Sequence, residues 1–139
     1  MTVILTDEYT GGMLSYEITG VASADNAGQG SIANPFGCSV NIIRAYLVPS
    51  VVSAGAANLS IGIAAVAGAG TDILNAAAMA AVNIGRPINC FANDPNAMTV
   101  TAPAIWTTAL FLTFTASATL VGFVGTLYIE ALRTTVANA

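Results

Sequence analysis

The side chains able to do chemistry in this 139-residue chain are few. Seven carboxylates (Asp7, Glu8, Glu17, Asp25, Asp72, Asp94 and Glu130), three arginines (Arg44, Arg86 and Arg133) and two cysteines (Cys38 and Cys90) are present, with no histidine and no lysine. The absence of histidine removes the usual general base and the commonest metal ligand, and with them any Ser-His or Cys-His arrangement. The absence of lysine removes the Ser-Lys dyad and the Schiff base. Carboxylates remain, and a pair of them can divide acid and base roles when their surroundings push their pKa values apart. Here they are scattered, and the one adjacent pair is Asp7-Glu8 near the amino terminus. The others have structural readings: Asp25 and Asp94 in turns, Asp72 as a helix cap, Glu17 and Glu130 as solvent-facing or arginine-paired strand positions. Glu130 with Arg44 or Arg133 is the expected ion pair. No catalytic residue and no enzymatic activity is expected.

Cys38 and Cys90 cannot supply a four-thiolate metal site and have no C-x-x-C spacing. They read as reduced, small hydrophobes; a disulfide between them depends on a distance that sequence spacing does not contain. Gly28-Gln29-Gly30 and Gly68-Ala69-Gly70 lack the remainder of any phosphate-binding loop, so turn glycines are the better reading. Asp25-Asn26 and Asp94-Pro95-Asn96 supply too few spaced oxygens for a calcium loop. No metal and no cofactor is expected.

Charge is scarce, at 7% of residues, against about 25% in ordinary soluble domains. Thr, Ser, Asn and Gly supply the polarity instead, and such side chains cost less to desolvate than Lys or Glu. Permanent protein interfaces are depleted in Lys, Glu and Asp at their centres, so this surface suits a subunit that stays in contact with neighbours. A net charge of −4 without any cluster of basic residues argues against nucleic acid as a partner. Residues 1–8 have no positive n-region, so no secretory signal is read and synthesis in the cytoplasm is expected. Residues 45–71 and 95–129 carry no charge and are long enough to span a bilayer, but prolines and many Ser and Thr interrupt them and no Lys/Arg cluster flanks them. No membrane partner is expected.

These side chains must be positioned by elements that read mostly as strands. Residues 1–12 read as an amino-terminal arm and 13–139 as a single domain. Residues 13–21 alternate Leu14, Tyr16 and Ile18 with Ser15, Glu17 and Thr19, the period of a half-buried strand. A short strand at Ser31-Ile32, a strand over 39–48 stopped by Pro49, and another over 59–65 follow. Residues 72–82 are rich in alanine behind Thr71-Asp72 and read as one short helix or helical turn. Residues 88–91 and 98–101 read as short extended pieces. Residues 108–115 and 120–133 read as two long strands joined in a hairpin, the second apolar on both faces. The expected fold is all-β and mainly antiparallel, a single-domain β-sandwich or jelly roll of about seven or eight strands with that one short helix.

An apolar arm has little reason to stay exposed, and bulky aromatics anchor interfaces. The candidate interface residues are therefore Val3, Ile4, Leu5, Tyr9, Trp106, Phe123 and Tyr128, with Trp106 reading as core ahead of interface anchor.

The succession Tyr16-Glu17-Ile18-Thr19-Gly20, Asn41-Ile42-Ile43-Arg44-Ala45-Tyr46-Leu47, Leu59-Ser60-Ile61-Gly62-Ile63, Thr71-Asp72-Ile73-Leu74 and Leu120-Val121-Gly122-Phe123-Val124-Gly125-Thr126-Leu127-Tyr128-Ile129-Glu130 resembles small head decoration proteins of tailed bacteriophages. The resemblance covers roughly residues 14–133 and is one of order and texture. It implies a cement protein on the outside of a capsid, located in the virion, with the major capsid protein as partner and commonly a homo-oligomer. It implies no catalytic residues. Another self-assembling virion subunit, such as a tail or shell component, is the alternative, and a small membrane protein the remaining one.

Overall fold

The structure, a computed structural model, describes residues 1–7, 11–19, 30–66, 68–90 and 104–134. These residues form strands β1 (Thr2–Asp7), β2 (Gly11–Thr19), β3 (Gly30–Ala33), β4 (Val40–Val51), β5 (Asn58–Ala64), β6 (Leu74–Ala78), β7 (Ile88–Asn89), β8 (Ile105–Trp106), β9 (Phe111–Ala116) and β10 (Val124–Arg133). There is no helix among the described residues. The strands make two antiparallel sheets. The larger runs β1-β2-β10-β4-β7, with β8 also pairing β4; the smaller runs β3-β9-β5-β6.

Alternation decides which way each strand faces. In β2, Gly12, Leu14 and Ile18 are buried while Met13, Glu17 and Thr19 are exposed. In β10, Gly125, Leu127, Ile129 and Ala131 are buried and the residues between them are not. Both sheets feed one core, in which Leu14, Leu47 and Leu127 meet Leu59, Leu112 and Phe114. Tyr16 of β2 stacks on Phe114 of β9 with centroids 5.1 Å apart, tying the two sheets directly. Each fully buried Leu or Ile contributes about 1.5–3 kcal/mol relative to exposure, so this core needs no charge to hold it.

The expected strands over 13–21, 31–32 and 59–65 correspond to β2, β3 and β5. Other expectations are corrected. Residues 72–82 contain no helix: β6 pairs β5 with Asn58 opposite Ala78, Leu59 opposite Ala77 and Ile61 opposite Leu74. Helix propensity is worth only tenths of a kcal/mol per residue, whereas pairing buries Leu74, Ala77 and Met79 against the core. Ala76 also has φ of 52°, which no right-handed helix accommodates. Its N–H donates to Ser60 Oγ at 2.9 Å where the register slips. Asp72 caps no helix; its carboxylate accepts the Ile63 N–H at 2.7 Å, at the end of β5.

The expected hairpin of 108–115 with 120–133 is also absent, because β9 and β10 lie in different sheets. Residues 117–123 carry the chain from one sheet to the other, with Leu120 and Phe123 fully buried and Gly122 in the left-handed region at φ of 70°. The strand covered on both faces is β9, where 112–116 are all buried, and not β10. Nor does Pro49 stop β4, which runs to Val51. Its register against β10 slips between Val124 and Gly125, so the proline without an N–H sits at an irregularity. Within residues 1–12, expected as the amino-terminal arm, Thr2–Asp7 pairs as a strand on β2: Val3 stands opposite Leu14 and Ile4 opposite Met13.

The tightest packing is where residues 68–72 cross β5 and β9. Thr113, fully buried, donates from Oγ1 to the Gly62 carbonyl at 3.0 Å and accepts the Gly70 N–H at 3.1 Å. A Cβ on Gly62 would collide with Asp72 Oδ1 and with the backbone of Gly70 and Thr71. Backbone cannot yield as a side-chain tip can, so Gly62→Ala is expected to lower the unfolding free energy by about 2–3 kcal/mol, measured by chemical denaturation.

Candidate functional site

The outer face of the larger sheet carries exposed apolar side chains, and its residues follow from the phase of the alternation. Opposite each buried neighbour pair on β2 and β10 stands an outward row. One row crosses Thr2, Ser15, Tyr128 and Tyr46 on β1, β2, β10 and β4. The next crosses Met13, Glu130 and Arg44, and the row on the other side crosses Glu17, Thr126 and Val48. Met13, Tyr128 and Leu132 are 45%, 43% and 45% exposed, which is high for side chains of their size in the middle of a sheet. Between them, Thr2, Met13, Leu14, Ser15 and Tyr128 line a shallow depression of about 160 Å³.

The electrostatics of this face rest on very few groups. Arg44 Nε lies 3.6 Å from Glu130 Oε2, with side chains 66% and 37% exposed. The expected ion pair is thus made with Arg44, across the β4–β10 ladder, where the two residues are directly opposite. At that exposure such a pair contributes between zero and about 1 kcal/mol, so its larger effect is to neutralise the centre of the face. Glu17 is exposed nearby. The chemistry open to this surface is apolar and aromatic contact with hydrogen bonding from tyrosine and serine hydroxyls, and of these Tyr and Met are enriched at protein interfaces.

The expected interface residues divide. Tyr128 lies in the middle of the outer face. Val3 is partly buried and packs on the core. Ile4 and Leu5 stand in β1 opposite Met13 and Gly12. Tyr9 lies outside the described residues. Trp106 takes the core reading of its two, and Phe123 is corrected as an interface residue: both are fully buried. Trp106 donates from Nε1 to the Leu110 carbonyl at 3.0 Å and meets Phe36 edge-on at 6.1 Å, while Phe123 lies beside Gly125 in the crossing between sheets and its N–H donates to the Leu120 carbonyl at 3.3 Å. Met13 and Tyr46 were not among the expected residues; the signal for Met13 was its opposite phase to Leu14 in the alternation of β2.

Among the described residues the remaining chemistry-bearing groups do not converge. Cys90 is buried and Cys38 half-buried, and neither is joined in a disulfide. Among the described residues no three of His, Cys, Asp and Glu lie together where a metal ion could be held.

Core and surface roles separate by stability. Trp106→Ala is expected to cost about 3–5 kcal/mol of unfolding free energy, whereas Tyr128→Ala and Glu130→Gln are each expected to change it by less than about 1 kcal/mol, measured by denaturant titration followed by tryptophan fluorescence or, for the tryptophan variant, circular dichroism. No family model, curated protein or solved structure matches the chain.

Proposed function

We propose that this chain is a non-enzymatic virion structural protein, a decoration or cement protein that binds the outside of a phage capsid and stabilises contacts between major capsid subunits. In this reading the two sheets are the layers of a β-sandwich of the jelly-roll kind, the larger one presenting its outer face to the neighbour. The observation that carries the reading is that face: Met13, Tyr128 and Leu132 exposed on a sheet around the Arg44–Glu130 ion pair. The scarcity of charge over the whole sequence and the resemblance in the order of its strands support it.

The mechanism is burial. Apolar area removed from water is worth about 25 cal/mol per Å², and a cement protein gains that term across a joint between subunits only while the joint is closed. The assembled state is thereby favoured over the separated one, less the cost of association, and the effect is multiplied by the number of copies. A face already fixed by strand pairing keeps that cost low, because little backbone freedom remains to be lost.

Two measurements test this. Purified particles are expected to contain the chain at a fixed, high copy number, and its absence from them would end the reading. Tyr128→Ala is expected to weaken particle binding by about tenfold or more while leaving the fold intact, as a central aromatic anchor does. Unchanged binding would move the contact away from this face.

A further inference from the structure

We propose that β1 is a self-association edge, pairing antiparallel with β1 of a second copy of this chain about a two-fold axis that passes at Ile4. A strand at the margin of a sheet presents a row of backbone N–H and C=O groups to whatever extended chain can meet it, and proteins blunt such edges by shortness, irregularity, charge, proline or cover. The other marginal strands described here are blunted. β7 and β8 have two residues each and β3 has four. β6 is interrupted by a register shift of its pairing and by the positive φ of Ala76.

β1 is different. It has six residues, no proline and no charge before Asp7. Its pairing with β2 is regular from Thr2 to Leu5, the shift coming only between Leu5 and Asp7.

The sequence of this edge selects its occupant. Thr2-Val3-Ile4-Leu5-Thr6 reads nearly the same in both directions. Antiparallel pairing centred on Ile4 therefore sets Thr2 opposite the second copy's Thr6, Val3 opposite its Leu5 and Ile4 opposite its Ile4. Directly opposed Thr–Thr and β-branched or apolar pairs are favourable cross-strand neighbours, and no charge meets a like charge. An unrelated strand would match this edge only by coincidence of sequence, whereas a second copy matches it by symmetry. The interface is isologous and closes at two copies, extending the larger sheet across both. The pairing goes beyond the virion reading and does not rest on it, since the state of the isolated chain and the copy number in particles are separate measurements.

The test is sedimentation velocity on the purified full chain over a wide concentration range, with the wild type expected to show a reversible monomer–dimer equilibrium. Ile4→Lys and Ile4→Glu each place two like charges opposite one another at the axis. Each is expected to weaken self-association by about tenfold or more with the strand-type circular dichroism unchanged. Mixing the two variants is expected to restore a dimer, because the charges then complement. A wild type that stays monomeric, an assembly that grows past two copies, charged variants that still dimerise alone, or a mixture that fails to recover would each overturn the proposal.

Discussion

The register of β10 is the constraint from which the rest of the architecture follows. This strand is paired on both sides, to β2 from Val124 to Leu132 and to β4 from Val124 to Arg133. A slip of one residue would turn Leu127 and Ile129 out to water and bring Tyr128 and Glu130 into the core, so burial penalises every register but one. With β10 fixed, the outward rows through Tyr128 and Glu130 are fixed as well, and so is the meeting of Arg44 with Glu130. The face that carries the proposed contact is therefore a by-product of the same alternation that builds the core.

A chain with so little charge must satisfy its irregular backbone by other means, and hydroxyls do most of this. Thr113 bridges the Gly62 carbonyl and the Gly70 N–H inside the protein. Ser60 accepts the Ala76 N–H at the β5–β6 irregularity, and Ser117 accepts the Asn58 N–H at 2.9 Å. A hydroxyl both donates and accepts and loses far less hydration than a charged group when buried. Asp72 is the carboxylate of this set, and it stands exposed where it accepts the Ile63 N–H near the end of β5. The use of hydroxyls in place of charge keeps charge sparse on the outside while these irregular backbone groups inside are paired.

Strand positions were largely legible in the sequence because period-2 alternation is written residue by residue, as in Leu14, Tyr16 and Ile18. What joins to what was not. Residues 116–118 look like a turn whether the chain reverses within one sheet or crosses to another, and the difference lies in Leu120 and Phe123, whose burial between sheets is a tertiary event. The alanine-rich stretch 74–81 misleads for a related reason: alanine suits a helix, but it also fits a marginal strand where neighbours come close, and only the presence of β5 decides. The same limit divided the candidate site. Tyr128 could be placed by its phase against Leu127 and Ile129, whereas the bulk of Trp106 and Phe123 says only that they are hidden, not by what.

The distribution of bulky aromatics then explains why the outer face can be apolar without disturbing the fold. Trp106, Phe114 and Phe123 lie inside, where their area stabilises the chain itself, and Tyr16 joins them from β2. Tyr128 and Tyr46 are left outside, each carrying a hydroxyl that water can satisfy while the face is open. A phenylalanine in either place would press for burial at all times, including in the unfolded chain and in encounters with wrong partners, whereas tyrosine is content in water and still offers a ring when a complementary surface arrives. Placed on β10 and β4, whose mutual ladder runs from Val124 to Arg133, those rings are held in position beforehand, and the contact area they offer is set by the backbone rather than by an ordering step at the moment of docking.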